Sequence, residues 1–168
     1  MSIKTEAISI EKPLQVRTSV QPVQLKYVPL PAPLPPLGDH PITMTASNGL
    51  RAPCRRCLLD ASPGDKVHLI GYDPFPLDSV TPYRGTYAIF VHAHNCTPFS
   101  GAALPDSQLE RLQAARAFDE NHMLMASEIV NASEFEKVVG EMLADRKASY
   151  VNVYNAKAGC FAVRVERG

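Results

Sequence analysis

The sequence has no excess charge of either sign, no apolar run of membrane length and no internal repeat. Seventeen Lys and Arg residues balance seventeen Asp and Glu residues. A neutral chain lacks the basic footprint that nucleic acid or an anionic membrane requires, so neither is expected as a partner. Among the first twenty residues, Lys4, Glu6, Glu11, Lys12 and Arg17 interrupt every apolar pair, leaving no signal-peptide core. No later segment approaches a membrane span. These absences lead to the expectation of a soluble, cytoplasmic protein. Its four cysteines are then read as thiols or metal ligands rather than structural disulfides. What is present is ordinary globular material: the 168 residues are 45% apolar and 20% charged, enough for one domain with a hydrophobic core.

Proline is concentrated at the front, where eight of the fifteen prolines fall within the first 41 residues. The run from Pro29 to Pro36 is expected to be extended and polyproline-like, because each ring fixes φ and removes a donor. A proline-rich arm over residues 1–45 is therefore set apart from a single domain over residues 46–168. Such an arm is read chiefly as a stiff surface segment, with docking to an SH3-type partner as its functional alternative. Within it, Val23–Val28 alternates and suits an edge strand.

Beyond Ala52 the pattern becomes regular. The turn Ser62-Pro-Gly-Asp65 leads into a strand over Val67–Tyr72, and Tyr87–His92 reads as a strongly apolar, central strand. Residues 73–83 form a proline-punctuated loop. Ser107 with Glu110 and Ser133 with Glu136 have capping-box spacing. They predict one helix running to Ala117 and another running to about Arg146. Met123–Val130 is strand-like, and Met123 and Met125 are read as core. The segments 149–154 and 160–166 form a closing hairpin through Asn155–Gly159. Together these predict an α+β fold, a largely antiparallel sheet with two helices packed on one face, preceded by the proline-rich arm.

Two groups of residues carry chemical potential. In the hairpin, alternation puts Val151, Val153, Phe161, Val163 and Val165 toward the helices. Asn152, Tyr154, Cys160, Arg164 and Glu166 then lie on the opposite face, either solvated or lining a ligand concavity. The second group is Cys54-Arg-Arg-Cys57 with His92-Ala-His-Asn-Cys96. Zinc takes thiolates and neutral imidazoles in a tetrahedron, so Cys54, Cys57, His92 and Cys96 form a candidate zinc site. The same residues permit thiol or redox chemistry. Arg55 and Arg56 would then lower the Cys54 thiol pKa, and His92 or His94 would serve as its base.

The blocks Pro53-Cys-Arg-Arg-Cys-Leu58, Val67–Tyr72, Pro82-Tyr-Arg84, Ala88-Ile-Phe-Val91, Ala117-Phe-Asp119 and Ala158-Gly-Cys-Phe161 with Arg164 occur in an order that resembles the family called domain of unknown function 1203. The resemblance runs from about Ala52 to the C-terminus. It implies a compact single domain of unassigned activity, with Cys54, Arg55, Tyr83, Arg84, Asp119 and Cys160 at matching positions. On that ground Cys54 and Cys160 are the candidates for a function shared across the family, and a metal would belong to this branch of it.

The leading expectation is an enzyme or binding protein for a small polar or aromatic metabolite. Its candidate catalytic residues are Cys54, His92, Tyr154 and Cys160. Arg55, Tyr83, Arg84 and Arg164 would bind substrate, with arginine holding a carboxylate or phosphate through paired donors. His92 or Tyr154 would move protons. The alternatives are a non-catalytic zinc-stabilised interaction module that uses the proline-rich arm, and a thiol- or redox-active protein.

Overall fold

The computed structural model describes residues 22–31 and 40–168. The proline-run residues 32–36, and residues 1–21 of the expected arm, lie outside the described residues. The chain forms β1 (Leu25–Val28), β2 (Ile42–Thr45), β3 (Lys66–Tyr72), β4 (Tyr87–His92), α1 (Asp106–Leu109), β5 (Gln113–Phe118), β6 (Leu124–Val130), α2 (Phe135–Ala144), β7 (Tyr150–Asn155) and β8 (Phe161–Arg167). Every pairing between these strands is antiparallel. They build two sheets rather than one, a five-stranded sheet in the order β1-β8-β7-β5-β6 and a three-stranded sheet in the order β2-β3-β4.

The main core lies between one face of the five-stranded sheet and α2. Phe135, Val139 and Leu143 recur at helical spacing and are buried against Ala115, Ala117, Val151, Val153, Val163 and Val165. Arg167 closes the far end of the helix, donating to the carbonyls of Leu143 at 2.9 Å and Ala148 at 2.7 Å. The first is a carbonyl that the end of a helix otherwise leaves unpaired.

The helix expected from Ser107 to Ala117 stops at Leu109, and the rest of that stretch is β5, an interior strand. Gln113-Ala-Ala-Arg-Ala-Phe118 is rich in good helix formers, but Gln113, Ala115 and Ala117 are buried at every second position. The alanines give α2 a flat surface to lie on, and tertiary packing overrides local propensity. Neither capping box forms, because no side chain caps either helix. Ser133 instead bonds through its N–H and hydroxyl to the Asn131 side chain, in a turn before α2.

Three further differences arise from placement. Met123 and Met125 face outward and are 42% and 38% exposed, while Leu124 between them packs on Phe75, Phe118 and Tyr150. The strand β4 is an outer strand of its sheet, not a central one. Its free edge is covered by the cysteine segment, which forms a parallel bridge from Cys54 to Phe90. In the final hairpin the register runs Val153↔Val163 and then Tyr154↔Phe161, so β8 carries one extra residue. This bulge turns Phe161 away from α2 and onto the face shared with Tyr154. That face is not solvated. The three-stranded sheet covers it, with Tyr72 packed at a tilt on Phe161 and Tyr87 on Tyr154.

Candidate functional sites

Cys54 and Cys57 lie on a tight turn whose entry and exit are joined by the bridge Pro53↔Asp60. The N–H of Cys54 donates to Leu59 and that of Leu58 donates back to Cys54. Leu58 adopts φ +60, a left-handed conformation that costs a branched side chain about 1–2 kcal/mol. Burial of its side chain in the main core offsets that cost, and Gln108 holds its carbonyl at 2.9 Å. The turn is docked on β4 by the N–H of Arg55, which donates to the Phe90 carbonyl.

The same β4 ends at His92, and the chain then bends so that Cys96 folds back toward the turn. The four ligand atoms of Cys54, Cys57, His92 and Cys96 lie within 4.8 Å of one another. The Cys54 and Cys96 sulfurs are 3.7 Å apart, and the Cys57 sulfur is 3.5 Å from His92 Nδ1. A tetrahedral zinc with Zn–S near 2.3 Å and Zn–N near 2.0 Å has S···S edges of about 3.8 Å and S···N edges of about 3.5 Å. The donor set therefore fits zinc in size and in chemistry.

The surroundings fit as well. Cys54 Sγ receives the backbone N–H groups of Arg56 and His92, each at 3.4 Å. A hydrogen bond from Cys57, followed by these backbone donors, brings the Cys54 thiol down to about 4 against the opposing effect of burial. Its partner Cys57 is pushed up, first by that same bond and then by burial. Burial also raises Cys96. A bound cation would remove the competition by taking every thiol as thiolate. Asp65 Oδ2 stands 3.9 Å from His92 Nε2, on the ring edge away from the cysteines. Carboxylates commonly orient metal-ligating histidines from this side. His94 stacks on His92 with centroids 4.7 Å apart, but it is exposed and outside the cluster.

A second site lies beside the first. A cavity of about 500 Å³ opens between the cysteine turn, the three-stranded sheet, the end of α1 and the β7–β8 hairpin. Arg55 crosses from one site to the other. Its backbone belongs to the turn, while its side chain donates from Nε to the Phe161 carbonyl at 2.7 Å and from an Nη to the Pro53 carbonyl. It is 2% exposed and lines the cavity with Asn155 and Cys160. Burial lowers the pKa of this guanidinium from its ordinary value. Asn155 donates to Cys160 Sγ at 3.3 Å, and its own Oδ1 is buried with no partner.

The residues singled out from the sequence thus fall in three places. Cys54, Cys57, His92 and Cys96 form the cluster, and Arg55 and Cys160 line the cavity. Tyr83, Arg84, Tyr154 and Arg164 lie elsewhere. Arg84 ties its own loop, pairing with Asp73 at 2.8 Å and donating to Leu77 and Ser79 carbonyls. Tyr83 rests edge-on against Phe118. Tyr154 is buried between the sheets under Arg116. Arg164 stacks on Tyr150 and donates to Asn152 and the Pro74 carbonyl. Sequence reasoning did not single out Asp65, Asn155 or Arg111 for these sites. Asn155 carried one signal, its place at the mouth of the hairpin loop. The other two are brought in by pairings distant in sequence.

The family described as protein of unknown function (DUF1203) matches residues 51–167. The chain belongs to this family. No curated protein and no solved structure matches it. The match covers both sites and begins three residues before Cys54. Among the described residues, no helix is long and apolar enough to cross a membrane.

Proposed function

We propose that this member of the family is a zinc-stabilised small-molecule-binding domain. Cys54, Cys57, His92 and Cys96 hold a structural zinc ion, and the adjoining cavity receives the ligand. The observation that carries the zinc reading is the convergence of three sulfurs and one imidazole nitrogen within 4.8 Å. Four protein ligands fill a tetrahedron and leave no position for a reacting water, which is the pattern of structural rather than catalytic zinc. The metal would clamp the cysteine turn to β4 and keep the cavity wall in place. A cytoplasmic location suits it, since a reducing compartment keeps these thiols free to bind metal.

Elemental analysis of the full chain, purified without a metal-affinity step, tests this reading. Near-stoichiometric zinc is expected, and it should disappear in a Cys57→Ser, His92→Ala double variant. A folded, metal-free protein that takes up no added zinc would refute it. If that protein lost two hydrogens on mild oxidation, the 3.7 Å contact between Cys54 and Cys96 would mark a thiol pair instead.

A further inference from the structure

Arg55 is a buried cation without a carboxylate partner. Among the described residues no carboxylate lies in ion-pair range of it, and its protein partners are two backbone carbonyls and the Cys160 thiol. A buried charge is costly unless paired, so such an arrangement calls for a counter-charge. The charge of Cys54 reaches Arg55, but none of the four cluster ligands lines the cavity. Three thiolates, one imidazole and Zn²⁺ carry a net charge of about −1. Arg56, buried beside Cys96, answers that charge from the other side.

Two further arginines at the cavity are already matched. Arg111 holds Asp60 through two bonds of 2.7 and 2.9 Å, and Arg51 holds Glu110 at 2.5 Å. Lys157, at the hairpin tip, has no ion-pair partner among the described residues. The cavity therefore presents two unmatched cations, one deep and one at the rim. Between them lies an apolar wall of Leu69, Phe90 and Leu112. Asn155 borders the same cavity, its side-chain amide held against the Cys160 sulfur at 3.3 Å.

We propose that this cavity binds a small organic anion: a carboxylate on an apolar, aromatic-sized body. The carboxylate pairs with Arg55 in the cavity wall and is attracted by Lys157. The body lies on Leu69, Phe90 and Leu112. A volume of about 500 Å³ is within the usual range for such ligands. This inference rests on the small-molecule reading above and adds the charge and shape of the ligand.

The test is calorimetric titration of the full-length, zinc-containing protein with four probes: benzoate, phenylacetate, 4-hydroxyphenylacetate and indole-3-acetate. Each is compared with its neutral primary amide. At least one carboxylate should bind with a Kd below about 1 mM, and about tenfold more tightly than its amide, the size of one charge-assisted hydrogen bond. Lys157→Glu, an exposed change that leaves fold and zinc content intact, should weaken the carboxylate at least several-fold and leave the amide unaffected. Arg55→Met should abolish the preference for the carboxylate, and Lys157→Glu keeps the test decisive if that variant does not fold. Equal binding of acids and amides would overturn the anion proposal while leaving the small-molecule reading standing. Absence of binding by all eight probes would overturn both.

Discussion

The five-stranded sheet has a helix laid across one face and a core of fifteen buried side chains that includes Phe135, Leu143, Val153 and Val165. The outer side of the three-stranded sheet has only Ala46, Ala52, Ala61 and Val67 fully buried. Its inner side shares Ile70, Ile89 and Val91 with the neighbouring sheet. Apolar burial stabilises a fold roughly in proportion to area, so methyl groups on this scale hold little. The cysteines of the cluster join that shared inner packing, Cys54 buried within it and Cys57 and Cys96 packed against it. Small units with thin cores commonly depend on a metal or a cross-link, and the proposed zinc would tie the cysteine turn to this thinner sheet.

Chelation is the strongest way to break that comparison. Structural zinc contributes about 10–16 kcal/mol in isolated finger peptides, which have almost no core of their own. Here the five-stranded sheet keeps its core, so a smaller loss is expected, about 5 kcal/mol and a fall in Tm of roughly 10–20 °C. Hydrogen exchange should show where it goes. Protection in β2, β3, β4 and the cysteine turn should collapse, while β5, β7 and β8 keep theirs. If all strands lost protection together, the two regions would not be separable units. The Cys57→Ser, His92→Ala variant should reproduce the pattern without chelator.

The complementary experiment strikes the richer region. Leu143→Ala removes a fully buried side chain from under the sheet and should cost about 2–5 kcal/mol in urea unfolding. Zinc content should not change. Because the site is remote from the cluster, its cost should add to that of chelation within about 0.5 kcal/mol. A large departure from additivity would show that the two sheets unfold as one body and that the metal supports both.

Sequence reading reached these two regions unequally, and the reason is physical. The face of α2, the turn Ser62–Asp65 and the closing hairpin were legible because periodicity and turn chemistry are local. β5 was not, since its alanines favour a helix in isolation and only the neighbouring strands and α2 make it a strand. The bulge in β8 was invisible because nothing at Ala162 marks it, yet it decides that Phe161 faces Tyr154 rather than the helix. The cluster could be named because Cys-x-x-Cys and His-x-His-x-Cys advertise metal chemistry, although the chain bends at His94 and leaves it outside. The cavity depends on Arg55 reaching across to β8, and no spacing encodes such a contact. Tyr83 and Arg84 drew notice through the family resemblance and Arg164 through strand alternation, but in the fold the two arginines are taken up by Asp73, Asn152, loop carbonyls and the Tyr150 ring.

Alkaline pH offers a gentler probe, read through two tyrosines of the five-stranded sheet. Burial raises both Tyr27 and Tyr150 to about 12 from an ordinary value of 10.0. A phenol with a raised folded pKa holds its proton more tightly in the native state than in the unfolded chain. Its contribution is whole below pH 10 and is lost as pH climbs from 10 toward 12. The loss approaches about 1.4 kcal/mol per pH unit for each phenol. Stability measured by urea at pH 9, 10 and 11 (roughly spanning the unfolded titration) should be level at first and then fall. Tyr27→Phe removes a buried hydroxyl that has no partner and should make the fall shallower without lowering stability at neutral pH. An unchanged slope would mean that Tyr27 ionises freely.

The smallest effect is expected at the joint between the regions. Gly159 sits at φ +70 in the hairpin loop, donates to the Asn155 carbonyl, and immediately precedes Cys160. A Cβ there would meet no atom within 4 Å, so Gly159→Ala carries a conformational cost and no steric one. That cost is about 1 kcal/mol, the penalty of a left-handed backbone for a residue with a side chain. If the loop only has to turn, the variant should lose that much stability and bind the carboxylate probes as before. If instead the loop relaxes to a right-handed conformation, Asn155 and Cys160 shift together. Stability is then nearly retained, while probe affinity falls. Measuring both quantities on one variant therefore tells whether the cavity wall is held by its own hairpin or by the packing of the sheets behind it.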